Sequence, residues 1–290
     1  MNRVKTKSLL IVLGALSISA LSFVEQNVAL AKAAAGYTLF RQALSLSDNI
    51  DTRPKALSLI EQAIVVAPDN ANYYWLKATI LETMEESEEA LPVINKALAL
   101  SPTGAILWAR KGAILGDLRD YKGALTCINQ SLKYNPSYMP AVRSRARILM
   151  KLNRFEEALA NIKIGLKSMA SIPLELTLWR RDALHCAMHL HQWQFAVDQA
   201  SALLLATQDK NHRFSAYSDR ARALTALKKY QFALADWAAA AKLQPFSSTP
   251  HLEMAAIYKR MGQPARALQE QKQAETTGDD WAPGRTLGRY

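Results

Sequence analysis

The segment with the most reactive side chains is His185-Cys186-Ala187-Met188-His189-Leu190-His191. In a helix, His185 and His189 lie one turn apart on the same face, a spacing that suits a shared transition metal. Zinc-protease helices carry a glutamate after the first histidine, but Cys186 occupies that position here, so hydrolysis by that route is not predicted. The simpler interpretation is one packed histidine with the others at a turn surface. We therefore predict no metal or other cofactor and keep His185 and His189 as the candidate pair.

A second group of chemically informative residues is basic. Arg143, Arg147 and Lys151 follow each other at intervals of four, so they share one face of a helix. Like charges at this spacing destabilise a helix by a few tenths of a kcal/mol per pair unless something neutralises them. The line therefore favours an anionic partner. An ordinary solvated face is the equal alternative.

A third group is acidic and lies near residue 85. It consists of Glu82, Glu85, Glu86, Glu88 and Glu89. Acidic residues at the start of a helix interact favourably with its dipole, which is sufficient to explain Glu88 and Glu89. For the others, contact with a basic neighbour or a cation is the alternative.

The elements that must position these residues are helices. The chain has 290 residues, of which 50% are hydrophobic, and only 11 glycines and 11 prolines. This composition excludes disorder and favours helix over sheet. The formal charge is +11, which favours acidic partners, anionic polymers or an anionic membrane surface.

An internal repeat organises these helices. A small residue recurs at equal intervals and returns after a longer one, at Ala56, Ala90, Ala124, Ala158, Ala196, Ala233 and Ala267. The clearest copy predicts two antiparallel helices that approach closely at Gly112 and Ala124. Trp108 and Ile128 fill the space around that contact, and Pro136 ends the unit.

These residues resemble the tetratricopeptide repeat family, whose pattern combines an aromatic residue, small residues at fixed spacing and a closing proline. The copy at Trp108 matches best, and the next carries Ala221, Ala233 and Pro245. The resemblance implies an all-α fold: an α-solenoid of about seven antiparallel helix hairpins that form a right-handed superhelix over residues 32–278. The tail at 279–290 lies beyond it.

The fifth copy, at about residues 173–210, departs from the pattern. Its Trp179, Ala183, Trp193 and Ala196 align with the other copies only if the turn between the two helices is lengthened. We expect this copy to bend the superhelix or to carry a specialised surface.

The resemblance also implies a function. In this family the first helix of each hairpin lines a concave surface that binds peptides or partner helices. The alignment turns Arg143, Arg147 and Lys151 toward that groove, and equivalent faces of later copies carry Arg180, Arg222 and Lys259. A basic groove predicts a protein or peptide partner that is acidic in character. The positive charge is not by itself evidence for nucleic acid, and we expect no nucleic-acid partner.

Every segment of the chain is assigned to the repeat, and no arrangement of side chains typical of a catalytic site can be placed within it. We therefore predict a non-enzymatic adaptor. The alternative is a periplasmic accessory factor that assists the export or assembly of an anionic polysaccharide or cell-wall polymer.

The segment at 1–31 predicts an exported protein. Arg3, Lys5 and Lys7 precede an apolar run and the small-residue site Ala29-Leu30-Ala31, an order typical of a cleaved signal peptide. We expect cleavage after Ala31, release into the periplasm and a mature charge of about +9. The alternative is an uncleaved anchor, which would provide the chain's membrane contact.

Overall fold

The computed structural model describes residues 25–168 and 171–279. Within these ranges the chain forms helices joined by turns and no strand. The predicted signal peptide up to residue 24 and the tail from residue 280 lie outside the described residues. Residues 25–46 form one helix that runs through the predicted cleavage site. No helix in the described ranges has the length and apolar character needed to cross a membrane.

The described ranges contain seven antiparallel helix hairpins, in agreement with the predicted all-α repeat fold. We call the first, odd-numbered helix of each hairpin the A helix and the second the B helix. The helices are α1 (25–46), α2 (Arg53–Val66), α3 (Ala71–Thr83), α4 (Ser87–Leu100), α5 (Ala105–Asp117), α6 (Tyr121–Tyr134), α7 (Met139–Lys151), α8 (Phe155–Ser168), α9 (Pro173–His189), α10 (Trp193–Ala206), α11 (Lys210–Ala226), α12 (Tyr230–Leu243), α13 (Thr249–Arg260) and α14 (Pro264–Asp279), with a 3-10 helix at Ile50–Thr52 before α2.

The chain divides into two compact units, Met1–Ala141 and Val142–Tyr290. Within each unit, consecutive helices pack against each other through small and branched residues. In the first unit, Ile60, Ile94 and Ile128 are fully buried. In the second, Ile162 and Trp237 take the same place. The cores therefore repeat with the sequence.

The turn between the A and B helices has the same geometry from α3 onward. One residue in each turn adopts a positive φ, namely Glu85, Arg119, Asn153, His191, Lys228 and Gly262. The following N–H donates a hydrogen bond to a carbonyl five residues earlier, as from Asp120 to Leu115 at 2.9 Å. This is the Schellman motif, which usually places a glycine at the positive φ. Here only the last copy does so.

The closest helix approach lies where the small residues recur. Ala124, Ala221 and Ala233 are fully buried, and a Cβ added to Gly112 would lie 2.7 Å from Ile128 Cδ1. Pro136 and Pro245 are exposed at the ends of B helices. Trp108 is half-buried, and its indole N–H donates to the Pro102 carbonyl at 2.8 Å.

The predicted lengthening of the turn in the fifth copy is wrong. The turn between α9 and α10 has three residues, as does the turn between α5 and α6. The extra residues instead lengthen the A helices: α5 and α7 have 13 residues, whereas α9 and α11 have 17. Because one helical turn takes about 3.6 residues, an addition of four extends the helix and keeps its faces nearly in register.

Two buried glycines allow a test of this packing. A Cβ on Gly165 would lie 2.3 Å from Cδ2 of Trp179, a rigid ring that is 1% exposed. At Gly112 the nearest atoms belong to the flexible end of Ile128. Overpacking costs about 1–3 kcal/mol or more, so we expect Gly165→Ala to lose at least ~2 kcal/mol more than Gly112→Ala in chemical denaturation.

Trp179→Leu is the compensating change for this experiment. In the Gly165→Ala background it removes the ring that the new methyl group meets, so it should recover part of the loss. Equal losses at Gly112 and Gly165, or no recovery, would contradict the packing that we describe between α8 and α9.

Candidate protein-binding face

The candidate face lies on the A helices of the second unit. Counted back from the positive-φ residue of each turn, the ninth position carries Asp182, Asp219 and Glu253. The sixth position carries Arg147, His185 and Arg222. Positions three apart share a helix face, so acidic and basic residues alternate along one row, which we call the charged row.

Ion pairs connect neighbouring A helices along the charged row, in which we include Arg143, ten residues before the positive-φ residue of its turn. Arg143 on α7 donates from Nε to Asp182 Oδ2 on α9 at 3.2 Å. Arg222 on α11 lies 3.4 Å from Asp219 Oδ1 and 3.9 Å from Glu253 Oε1 on α13. The acidic partners were missed at the sequence level. The charged row is therefore not uniformly basic, because Arg143 and Arg222 have acidic partners.

The other predicted basic residues occupy different places. Arg147 and Lys151 are exposed on α7, and neither forms an ion pair with the described residues. Lys259 is exposed three residues before its turn. Arg180 lies eleven residues before its turn, about 140° around the helix from the sixth position at 100° per residue. The prediction that Arg180 lies on the same helix face as Arg147 and Arg222 is therefore wrong.

A cavity of about 250 Å³ opens between α9 and α11, with part of α10 as its floor. Its apolar lining comes from Leu184, Leu203 and Ala216, which are buried, and its mouth carries the exposed Arg181 and Ser215. The remaining lining residues are Thr177, Thr207, His212 and Asp219. The cavity lies beside the added helical turns of α9 and α11, so the irregular fifth copy contributes one of its walls.

Asp219 belongs both to the charged row and to the wall of the cavity. Burial raises the pKa of its carboxyl group, and the nearby Arg222 and His185 offset part of this effect. The carboxylate has thus lost hydration that its neighbours replace only in part. A hydrogen-bond donor from a ligand would stabilise its charged form.

The candidate pair, His185 and His189, packs against an aromatic ring. The rings of His185 and His189 have centroids 4.7 Å apart, and His189 stacks on Phe155 at 4.1 Å. The described ranges contain no group of three or more His, Cys, Asp or Glu side chains that could hold a metal. Burial raises the pKa of the Cys186 thiol to about 12, so this thiol is protonated at neutral pH and is a poor nucleophile and metal ligand.

The acidic group forms a separate feature of the first unit. It lines a cleft of about 610 Å³ whose walls contain Glu82, Glu85, Glu86, Ser87, Glu88, Glu89, Asp117 and Leu118. Glu82 accepts a hydrogen bond from Arg110 on the next A helix. Burial raises the pKa of Glu82, and Arg110 opposes that shift. One of the predicted basic neighbours of this group is therefore Arg110.

The environment of His185 predicts a pH-dependent stability. Burial, followed by the neighbouring His189, lowers the pKa of His185 from 6.5. The unfolded chain therefore takes up this proton at a higher pH than the folded chain, and the free energy of unfolding falls as the pH drops through that range. We expect a smaller decrease between pH 7.5 and pH 5.5 for His185→Gln, measured by urea denaturation.

His212→Gln is the matched control, because His212 is exposed at the start of α11. It should retain the pH dependence of the unmodified protein. A His185→Gln variant with an unchanged decrease would show that another group is responsible.

Comparison with known proteins agrees with this architecture. Residues 40–105 and 110–163 match the tetratricopeptide repeat family. The comparison with curated proteins gives no match. Among solved structures, the fold is similar to that of PilF from Pseudomonas aeruginosa, with a TM-score of 0.63 and 13% identity over 80% of this chain and 98% of that one.

Two further structures share the fold. YrrB, described as a TPR protein with an unusual peptide-binding site, has a TM-score of 0.56 and 20% identity over 73% of this chain and 97% of its own. A tetratricopeptide repeat protein from Parabacteroides merdae has a TM-score of 0.55 and 17% identity, with coverages of 84% and 93%. The family match covers α2 to α7 and most of α8, and the same hairpin geometry continues to α14. Residues 40–163 therefore carry tetratricopeptide repeats, and the later hairpins share the same fold.

Proposed function

We propose that this protein is a non-enzymatic adaptor that binds an extended segment of a partner protein across the A helices of its second unit. The observation that carries the proposal is the cavity between α9 and α11, which opens beside the charged row and shares Asp219 with it. A site that anchors one side chain of a ligand and orients the rest of it usually has an apolar floor and a polar rim.

The size of the cavity supports a side chain as its occupant. Sites for small molecules usually measure about 300–1,000 Å³, and this cavity, at about 250 Å³, is smaller. One apolar side chain of a partner would lie on Leu184 and Leu203. Arg181 and Asp219, at the rim and in the wall, would then hydrogen-bond to the polar backbone of the same segment.

The distribution of charge along the face supports a direction for the bound segment. Arg147 and Lys151 on α7 have no ion-pair partners among the described residues, whereas Arg222 on α11 is balanced by Asp219 and Glu253. We therefore propose a partner with an acidic residue facing α7 and an apolar residue in the cavity. The proposed partner thus combines acidic and apolar residues, whereas the sequence predicted a partner that is acidic in character.

The absence of an activated nucleophile near the face, among the described residues, supports a binding role. The Cys186 thiol is buried with a raised pKa, and His185 is held against His189 and beside the Phe155 ring. YrrB, a protein of the same fold, has an unusual peptide-binding site. We extend that role to this chain on the strength of its own cavity and charged row.

We test the binding face with peptides selected from a random phage-displayed library on the purified full chain. The selected peptides should share an apolar residue and an acidic residue at a fixed separation. Ser215→Phe, which fills the mouth of the cavity, and Arg147→Glu/Lys151→Glu should each weaken their binding at least tenfold, measured by calorimetry.

Ala238→Phe and Lys242→Glu are the matched controls, because both positions are exposed on the B helix α12. They should bind the peptides as the unmodified protein does. If folded Ser215→Phe and Arg147→Glu/Lys151→Glu variants also retain full binding, the proposed face is not the peptide site.

We also propose that the adaptor acts in the cell envelope. The support is the order of residues at the start of the chain: Arg3, Lys5 and Lys7, then an apolar run, then the small residues that precede Lys32. In that location the protein would hold the components of an envelope complex together.

The export proposal predicts the start of the mature chain. Protein isolated from the periplasmic fraction should begin at Lys32 when its N-terminus is sequenced. Ala29→Arg/Ala31→Arg should block processing, because signal peptidase sites require small residues at these positions. Full-length protein in the cytoplasmic fraction would contradict the proposal, and full-length protein in the membrane fraction would identify the leader as an anchor.

A further inference from the structure

The second unit carries the excess positive charge of the described chain. Residues 142–279 contain 20 lysines and arginines against 12 aspartates and glutamates, a formal charge of +8. Residues 25–141 contain 11 and 12, a formal charge of −1. The charged row does not account for this excess, because acidic and basic residues alternate along it. The surplus must lie on other surfaces of the second unit.

Much of the surplus lies at the turns between A and B helices. We call this set the basic turn edge, and it consists of Lys151, Lys228, Lys229, Lys259 and Arg260. All five side chains are exposed, and none forms an ion pair with another described residue. Lys229 makes one neutral contact, a hydrogen bond to Gln194. The charges are therefore available to a partner.

Contacts between successive turns show that the edge is continuous within the second unit. Phe155, which begins α8, stacks on His189 at the end of α9. Lys229 Nζ lies 3.3 Å from Oε1 of Gln194 in the first turn of α10. At the last two turns, Tyr230 and Met261 both pack against the same hydrophobic cluster.

Helix electrostatics explain only part of this charge. Lys151, Lys259 and Arg260 lie in the last turns of A helices, where cations interact favourably with the dipole. Lys229 instead occupies the N-cap of α12, where a cation is unfavourable, and it has no capping hydrogen bond. Lys228 lies between this N-cap and the end of α11. At the equivalent turn before α6, Asp120 caps the helix. Local structure thus favours an acid at the position that Lys229 occupies in the second unit.

We propose that the basic turn edge docks on an anionic membrane surface. Long cationic side chains along a row of turns match a surface whose negative charge extends laterally, and each such lysine adds to the attraction. Trp193 and Tyr230, the partly exposed first residues of α10 and α12, lie beside the edge. Amphipathic rings of this kind favour the interface between membrane and water.

An acidic protein segment is less well matched to this surface. Tight protein contacts depend on a few side chains that are buried in pockets. The edge residues line neither the cavity between α9 and α11 nor the acidic cleft of the first unit. The edge shares only Lys151 with the proposed peptide-binding face, so membrane docking and peptide binding are separable by variants at Lys228 and Lys229.

The test measures binding of the purified full chain to sedimented vesicles. Vesicles of equal parts phosphatidylglycerol and phosphatidylcholine should bind the protein, and binding should fall steeply between 50 and 500 mM NaCl because salt screens exposed charges. Vesicles of phosphatidylcholine alone should not bind. Lys228→Glu/Lys229→Glu should reduce the affinity for the anionic vesicles at least tenfold.

Lys210→Glu/Lys242→Glu is the matched control. It makes the same change in net charge on the same two helices, α11 and α12, but at their opposite ends. This variant should retain affinity within about twofold, and circular dichroism verifies that both variants are folded. Neutral Lys228→Gln/Lys229→Gln should give an intermediate loss.

Three results would overturn the proposal. Equal losses in the two charge-reversed variants would show attraction by net charge alone. Equal binding to neutral vesicles would show that the edge is not responsible. Binding to polyglutamate that depends on Lys228 and Lys229, without binding to anionic vesicles, would assign the edge to an acidic protein segment.

Discussion

The close contact between the two helices of each hairpin is the constraint on which the rest of the structure depends. Seven residues before each positive-φ residue, five of the six copies carry a buried alanine or glycine, namely Ala78, Gly112, Ala146, Ala221 and Ala255. The B helices of the same hairpins carry a buried alanine near their start. In the third hairpin, a Cβ added to Gly112 would lie 3.1 Å from the carbonyl oxygen of Ala124. A larger side chain at either position would separate the helices and uncover the isoleucines between them. A single hairpin leaves one side of this core open, so the copies must stack.

Polar pairs between the two helices vary from copy to copy on this common frame. Arg220 donates two hydrogen bonds to the buried Asp236, which raise the pKa of the guanidinium. Arg145 and Asn161 occupy the equivalent positions, but the neutral amide supplies no countercharge, so burial lowers the pKa of Arg145. In the fifth hairpin, Gln199 has lost the basic partner, and its Oε1 has no hydrogen bond within the described residues. The packing of the two helices therefore tolerates an ion pair, a hydrogen bond to a neutral amide or an unpaired amide oxygen at the same position of the hairpin.

The charges of the second unit divide into two surfaces with different physical properties. In the charged row, the pair of Arg143 and Asp182 is mostly shielded from solvent, so salt screens it weakly. On the basic turn edge, the side chains project into water, where the screening length is about 10 Å at 0.1 M salt. Contacts at the row should thus depend on geometry, and contacts at the edge on ionic strength. One unit can present both surfaces because the charged row lies along the sides of the A helices, whereas the basic turn edge lies at the turns that follow them.

The amino-acid sequence by itself determined the fold class, because the constant spacing of the repeat reflects contacts within a hairpin, between residues close in the chain. Asp182 and Glu253 were missed because each pairs with an arginine on a neighbouring A helix, in a different copy of the repeat. The sequence did not reveal the positive-φ position of the turns, because residues such as Lys228 occupy a position where glycine is usual. Only the tertiary structure decided that the extra residues of the fifth copy extend α9, because a longer turn and a longer helix have the same length in sequence. It also decided where the cavity lies, since its walls come from three helices that meet only in the folded chain.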